Sequence, residues 1–189
     1  HEHLLYYNLK NIETLLNRHG LALFDARVSP IHGGSVIAYA THAGKRNASS
    51  ALQALIAEEN AAKSNELSTY REFAKRIEIM KEKNLKYLTE ARESSKRVFG
   101  MGAPVKGNTL MNYFGINRNY LECLVEKNEL RRNLYSPGSH LIIRIEKELT
   151  ELPDIYYVLA WNFKKEILAN NQALLEKGVE FYFPVNPTE

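Results

Sequence analysis

One stretch of the chain, Val98–Leu110, combines residue types that suit the binding of an anion. It reads VFGMGAPVKGNTL, which is an apolar run typical of a buried strand, then a glycine-rich turn, then an Asn-Thr pair that predicts a helix start at about residue 107. The glycines permit a tight turn and a close backbone approach to a ligand. The free N–H groups of a helix start attract anions, and the lysine of the turn adds a full positive charge. The residues predicted to hold a phosphate or pyrophosphate here are Gly100, Gly102, Lys106, Asn108 and Thr109.

The glycine turn matches neither of the two best-known phosphate-binding motifs. It is not a Walker A loop, because its lysine precedes the last glycine, and Val105 occupies the third glycine position of a dinucleotide fingerprint. We also predict no acidic residue at the end of the next strand, since Glu122 falls inside that predicted strand and Glu126 just past it. A strand-to-helix turn without any ligand remains the alternative interpretation.

Two further segments follow predicted turns or strands and carry side chains suited to a nucleotide or a sugar. His140 follows a proline-glycine turn, where it can donate to a phosphate or a hydroxyl group, or can be a partly exposed loop histidine. Trp161 and Asn162 offer a stacking face and an amide, although the tryptophan can equally fill the edge of the core. Because ligands bind at the carboxyl ends of parallel strands, we expect both segments to share one cleft with the glycine turn.

Histidines near the start of the chain are the candidates for hydrogen bonding and proton transfer. His32 and Ser35 border a Gly-Gly turn that suits a close ligand approach, but a β-hairpin uses the same residues without a ligand, and the local pattern favours the hairpin. His3 can transfer protons near neutral pH, and the adjacent Glu2 can orient a substrate. Neighbouring helical residues do not face one another, so the pair would act on a substrate separately. Two charged residues at this position can also simply be solvated.

The apolar periodicity predicts an α/β fold with a Rossmann-like, mostly parallel sheet, entered through an N-terminal helix, a β-hairpin and a long helical segment. The first helix is expected to run from the start of the chain to His19-Gly20, which suggests a fragment that lacks its N-terminal part. The predicted elements are strands at 21–28 and 36–41, two helices or one bent helix over 48–94, a strand at 97–100, a helix at 107–114, strands at 120–125, 141–145 and 155–159, a helix at 162–175, and a strand at 180–183.

Composition places the chain among ordinary globular proteins of the reducing cytoplasm. The 189 residues are 44% hydrophobic and 25% charged, and a net charge of +3 with scattered basic residues argues against nucleic-acid binding. Cys123 is the only cysteine, so neither a disulfide nor a cysteine-based metal site can form within the chain. No apolar run is long enough to cross a membrane. We therefore expect a cytoplasmic protein with no membrane contact and no metal of its own.

Several of these segments occur in an order that resembles the C-terminal part of the sugar C-methyltransferases. The resemblance covers essentially the whole chain. The segments that carry it are Glu2-His3-Leu4 with Tyr6-Tyr7-Asn8-Leu9, Pro30-Ile-His-Gly-Gly-Ser35, Gly100-Met-Gly-Ala-Pro-Val-Lys-Gly-Asn-Thr109, Pro137-Gly-Ser-His140, and Pro153-Asp154 with Trp161-Asn162.

The resemblance implies an S-adenosylmethionine-dependent enzyme that methylates a carbon next to a keto group on a nucleotide-diphosphate deoxysugar. It implies that 1–20 is a helix at the edge of a methyltransferase domain, and that 21–189 is the substrate-binding domain. S-adenosylmethionine, and zinc in a small N-terminal domain, would be bound by parts outside this chain, so the fragment alone should be inactive. In the family's pattern His3 is the general base and Glu2 the orienting carboxylate.

One departure from the family's pattern leaves the substrate open. Members often carry an arginine shortly after the His-Gly-Gly-Ser turn, where this chain has Val36, Ile37 and Ala38. The alternatives are a methyltransferase for a substrate other than a nucleotide-sugar, and a non-catalytic Rossmann-like module that binds a dinucleotide.

Overall fold

The computed structural model describes residues 5–31 and 34–186. Contacts within the chain divide it into two compact units, His1–Lys75 and Arg76–Glu189. The domain boundary that we predict at residue 20 stays a prediction. The elements in chain order are α1 Leu9–Asn17, β1 Leu21–Ser29, β2 Ser35–His42, α2 Ser50–Ala61, α3 Leu67–Glu93, β3 Val98–Met101, α4 Val105–Phe114, β4 Leu124–Glu126, β5 Ile143–Ile145, β6 Ile155–Val158, α5 Lys164–Asn170, α6 Gln172–Glu176 and β7 Glu180–Tyr182.

The first unit is a β-hairpin with two helices packed on it. Strands β1 and β2 pair antiparallel and form a sheet of their own, which confirms the predicted hairpin. The buried side chains of Leu9, Leu23, Ala26 and Leu52 form its small core. Helix α2 begins after Ser49, whose hydroxyl group accepts from the N–H of Leu52 at 3.1 Å and donates to the carboxylate of Asp25 at 2.5 Å.

Helix α1 starts later than its apolar spacing predicts. The side chain of Asn8 accepts a hydrogen bond from the N–H of Asn11 at 2.9 Å, so Asn8 caps the helix and α1 begins at Leu9. Residues 5–8 are therefore not helical, and the prediction of one helix running from the start of the chain is wrong. The long helical region 48–94 is two helices, α2 and α3, separated at 62–66.

The second unit contains a five-stranded, wholly parallel sheet with the strand order β5-β4-β3-β6-β7, which confirms the Rossmann-like prediction. The chain builds outward from β3 through β4 to β5, then returns to the other side of β3 for β6 and β7. The order therefore reverses between β3 and β6. In open α/β sheets this reversal leaves a crevice at the carboxyl ends of the two strands, where ligands bind.

Helices cover both faces of this sheet because the side chains that its strands direct to either face are apolar. On one face Val98 and Tyr157 pack with residues of α3 and α4, including Leu88 and Met111. On the other, Phe99 and Tyr156 pack with residues of α5 and α6. The predicted helix 162–175 is a short 3-10 turn followed by α5 and α6. None of the helices among the described residues is long and apolar enough to span a membrane.

One buried polar network ties three parts of this unit together. Asn84 of α3 is 1% exposed. Its amide donates to the carbonyl of Pro184 at 3.1 Å and accepts from the hydroxyl of Tyr157 at 2.8 Å. Because each buried polar group finds a partner, the network fixes the position of α3 on β6 without an unsatisfied group among these three.

Candidate functional site

The glycine turn lies where the sequence places it, directly after β3 at the carboxyl edge of the sheet. Gly102 has a φ of 82°, a left-handed conformation that favours glycine. Its N–H donates to the carbonyl of Val125 at 2.7 Å, which ties the turn to the end of β4. The turn therefore closes against its neighbouring strand, and α4 leaves it at Val105.

Helix α4 begins two residues earlier than predicted, which changes the roles of Asn108 and Thr109. The N–H of Asn108 already donates to the carbonyl of Pro104 at 3.0 Å, and the hydroxyl of Thr109 donates to the carbonyl of Val105 at 3.2 Å. The prediction that this pair opens the helix is wrong, because Pro104 supplies the extended residue that precedes a helix. Lys106 is exposed in the first turn of α4.

Two glycines of the stretch make room for neighbouring side chains. A Cβ atom at Gly100 would lie 2.5 Å from Cδ2 of Leu124, and one at Gly107 would lie 2.7 Å from Cβ of Leu159. Gly107 thus lets α4 approach the chain that follows β6. In a dinucleotide fingerprint the third glycine allows this close packing of helix and strand, and in this chain Gly107 takes that role two positions later. The structure explains both glycines by packing, without a ligand.

Glu126 is a functional candidate that the sequence reasoning misplaced. Strand β4 covers only Leu124–Glu126, so Glu126 is its last residue, and Glu122 lies before the strand in a bend. An acidic residue therefore does stand at the end of the second strand of the sheet, and the prediction that none does is wrong. The error came from ending the predicted strand one residue early, at Val125. In nucleotide-binding Rossmann folds an acidic residue here accepts from ribose hydroxyls.

The carboxylate of Glu126 is already hydrogen-bonded within the chain. One oxygen accepts from the N–H groups of Lys127 and Asn128, at 2.8 and 3.4 Å. The other accepts from the N–H of Ala103 and from the guanidinium of Arg131, at 3.3 and 3.4 Å. A carboxylate offers about four acceptor positions, so these four donors leave no position for a ligand unless one of the longer bonds opens.

A cleft of about 290 Å³ lies at the carboxyl edge of the sheet, where the strand order reverses. We call it the switch-point cleft. Its walls come from the ends of β3, β4, β5 and β6 and from α5. The apolar lining residues are Met101, Val125, Ala160, Phe163 and Ile167, and the charged ones are Glu126, Lys127, Glu146 and Glu166. Three carboxylates against one ammonium group make the cleft acidic, which suits hydroxyl-rich or uncharged ligands better than phosphate.

A neighbouring, more open cleft shares two of these residues and has a different character. It includes Trp161, Asn162, Lys164, Lys165 and Asn186, and it meets the first cleft at Phe163 and Glu166. We call it the Trp161 cleft. An indole, an amide and two ammonium groups suit an aromatic ligand that carries a negative charge. Trp161 also packs against the core of the unit, as one of the two sequence interpretations expects, and its stacking on a ligand stays a prediction.

Comparison with known proteins identifies the family. The model of the C-methyltransferase C-terminal domain matches residues 30–186. The chain belongs to this family. C-methyltransferase NovU of Streptomyces niveus is 33% identical over 187 residues, which are 98% of this chain and 44% of NovU. The chain thus spans less than half the length of this relative.

In this C-methyltransferase C-terminal domain the loop that carries His140 lies away from the glycine turn. The loop precedes β5 and therefore lies at the amino edge of the parallel sheet. The side chain of Asn112 donates to the carbonyl of Pro137 at 3.0 Å, and Asn112 is seven residues beyond the start of α4, about 10 Å along the helix. The prediction that this loop shares a cleft with the turn is wrong, because a loop before a strand and a loop after one lie at opposite edges.

The remaining candidates of the C-methyltransferase C-terminal domain belong to the first unit. The hydroxyl of Ser35 donates to the carbonyl of Ile31 at 3.0 Å and so closes the hairpin turn. Glu2, His3 and His32 lie outside the described residues. Across 5–31 and 34–186, no group of three or more histidine, cysteine, aspartate or glutamate side chains could hold a metal ion.

Proposed function

We propose that the chain is the substrate-binding C-terminal part of an S-adenosylmethionine-dependent C-methyltransferase that acts on a nucleotide-linked deoxysugar. The observation that carries the proposal is the pair of adjoining clefts at the strand-order reversal of a C-methyltransferase C-terminal domain. The acidic switch-point cleft would accept from the hydroxyl groups of a sugar. The Trp161 cleft would take the nucleotide's aromatic base and its diphosphate.

The charges favour the diphosphate at Lys164 and Lys165 over the glycine turn. A phosphate at the turn would lie beside the carboxylate of Glu126. Arg131, 3.4 Å away, already pairs with this carboxylate, so the turn itself offers a phosphate only the exposed Lys106, whereas the Trp161 cleft offers two ammonium groups. Lys165 is exposed, and the residues that line its cleft include two lysines and one carboxylate, that of Glu166. This replaces our sequence-based assignment of the diphosphate to Lys106.

We assign to the whole protein a reaction that begins with removal of a proton from the carbon next to a keto group. His3 would take the proton and Glu2 would orient the sugar, as the family's pattern implies. S-adenosylmethionine supplies the methyl group, and we assign its binding to the part of the protein outside this chain. The clefts of this chain would hold the nucleotide-sugar and keep its keto sugar in one orientation.

A methyl-transfer assay on the full-length protein tests the proposed function. The substrates are S-adenosylmethionine and a thymidine diphosphate keto-deoxysugar, and the product is read by mass spectrometry. His3→Asn should abolish turnover while substrate binding stays nearly intact. Unchanged turnover would remove His3 as the base. Methylation of a keto substrate without a nucleotide, at the same kcat/KM, would favour the alternative that the natural substrate is not a nucleotide-sugar.

Paired lysine variants test where the diphosphate binds. Lys165→Ala should weaken binding of the nucleotide-sugar about tenfold and of a diphosphate-free analogue much less, because a charge-assisted hydrogen bond to phosphate is lost. Lys106→Ala is the matched control and should change neither affinity. A larger loss in Lys106→Ala would return the diphosphate to the glycine turn.

A non-catalytic dinucleotide-binding module is the second candidate, and the position of Glu126 favours it. Against it stand the four donors already on that carboxylate and the packing role of the glycines. Titration with NAD separates the two candidates. Micromolar binding that Glu126→Gln abolishes would support the dinucleotide module and contradict the acceptor count given above.

A further inference from the structure

The apolar face of the hairpin extends beyond the helices that cover it. Ala26 lies opposite Ala38, and Val28 lies opposite Val36. Side chains two residues apart on a strand share one face, so these four share one face of the hairpin. Ala26 is 2% exposed, and Ala38 packs against the same core as Leu9 and Leu52. Helices α1 and α2 therefore cover this face at Ala26 and Ala38, and the face continues beyond them toward the hairpin turn.

Beyond that point the face is open. Val28 is 59% exposed and Val36 is 42% exposed, although the two valines lie directly opposite each other. Ile31, in the turn that follows β1, is 60% exposed. We call Val28, Ile31 and Val36 the tip patch. Three β-branched side chains at one end of a two-stranded sheet are stiff and apolar, which suits a packing surface.

The length of the relative indicates what covers the tip patch. This chain corresponds to only 44% of NovU, and its family is defined as a C-terminal domain. Residues that precede this chain in a longer protein join it before α1, and α1 packs on β1 of the same hairpin. We propose that the tip patch docks on the domain that precedes this chain in the full-length protein.

Patch size favours a tethered domain over a second copy of the chain. A stable interface between free proteins buries about 1,200–2,000 Å² in total, far more than three side chains supply. A domain in the same chain is present at an effective concentration in the millimolar range, so a small apolar contact is enough to hold it. The proposal rests on the proposed function only in that it requires a preceding domain.

Hydrogen–deuterium exchange on the full-length protein tests the docking. Val28→Glu/Val36→Glu should speed exchange in peptides of the preceding domain about tenfold, because a charge cannot enter an apolar contact. Val28→Thr/Val36→Thr keeps the β-branched shape and strand preference, so the hairpin should fold, and it should give a smaller increase in the same peptides. His42→Glu adds one carboxylate at an exposed site of the same hairpin and should leave the preceding domain unchanged.

Two outcomes would overturn the proposal. One is unchanged exchange of the preceding domain in both valine double variants. The other is a dimer, measured by light scattering, that becomes a monomer in the valine variants alone, which would assign the patch to a second copy. The exchange measurement uses no substrate. If the wild-type protein transferred no methyl group, and the valine variants still showed the expected increase in exchange over wild type, the proposed function would fail and the docking would stand.

Discussion

Replacing Gly107 by alanine separates two explanations of the glycine stretch. If the glycine is there for a ligand, the substitution affects binding and leaves the folded chain intact. If it is there for packing, the substitution destabilises the chain in the absence of any ligand. The structure favours packing, since the added Cβ would lie 2.7 Å from Cβ of Leu159 and 3.2 Å from Cγ of Pro104.

Two opposing contributions determine the size of the effect. Alanine is favoured over glycine inside a helix by about 1 kcal/mol, which would stabilise α4. Overpacking of a filled core costs about 1–3 kcal/mol. The upper end applies here because Leu159 is 1% exposed and its Cβ is bonded directly to the backbone, so no rotation of the side chain relieves the contact. We expect Gly107→Ala to lower the free energy of unfolding by about 1–2 kcal/mol.

Urea unfolding of the 189-residue chain, followed by the fluorescence of its single tryptophan, measures the change. Thr109→Ala is the matched control, since Thr109 is exposed in the same helix and alanine there gains helix propensity without a clash. The control should be neutral or slightly stabilising. If Gly107→Ala were as stable as the control, α4 would not be held as close to Leu159 as described, and the packing explanation would be refuted.

Two further predictions concern buried polar groups of the second unit. Asn84→Leu should lower the free energy of unfolding by about 2–4 kcal/mol, since it leaves the Pro184 carbonyl and the Tyr157 hydroxyl buried without this partner. Tyr157→Phe should cost less in the same unfolding assay, about 1–2 kcal/mol, and the reverse order would contradict the network. Burial raises the pKa of the Cys123 thiol from 9.0 to about 11, so Ellman's reagent at pH 8 should label it only as fast as the chain unfolds. Immediate labelling at pH 8 would show that Cys123 is not buried. The contribution of this thiol to the free energy of unfolding is fully present below pH 9 and is lost as the pH rises toward 11.

Local sequence patterns predicted most of the helices and strands, because each of these elements depends mainly on residues close together in the chain. Alternation and turn residues placed β1, β2 and the hairpin between them, and the apolar runs placed β3 and β6 within one residue. Where the pattern failed, a single hydrogen bond or residue decided the boundary. Asn8 caps α1 eight residues into an apolar repeat, and β4 is short because only 124–126 find partners in the sheet.

The candidate site was less predictable, because it depends on which edge of the sheet each loop reaches. From the sequence, the loop at 137–140 and the turn at 100–104 look alike, since both contain glycine and proline. The apolar runs already place the first of these before a predicted strand and the second after one, but only the parallel pairing of the strands shows that the two lie at opposite edges of one sheet. The same pairing puts Glu126 at the end of its strand, where the sequence had placed it just past that strand.

The sequence by itself determined the class of fold, the hairpin and the glycine turn, and its motifs led to the C-methyltransferases. Those features depend on neighbouring residues along the chain, whose spacing fixes which face is apolar and where the backbone turns. Tertiary structure decided what the glycines do, which acidic residue faces the turn, and which side chains share a cleft. These depend on distances between residues far apart in the chain, such as Gly107 and Leu159, and no local pattern encodes a distance of that kind.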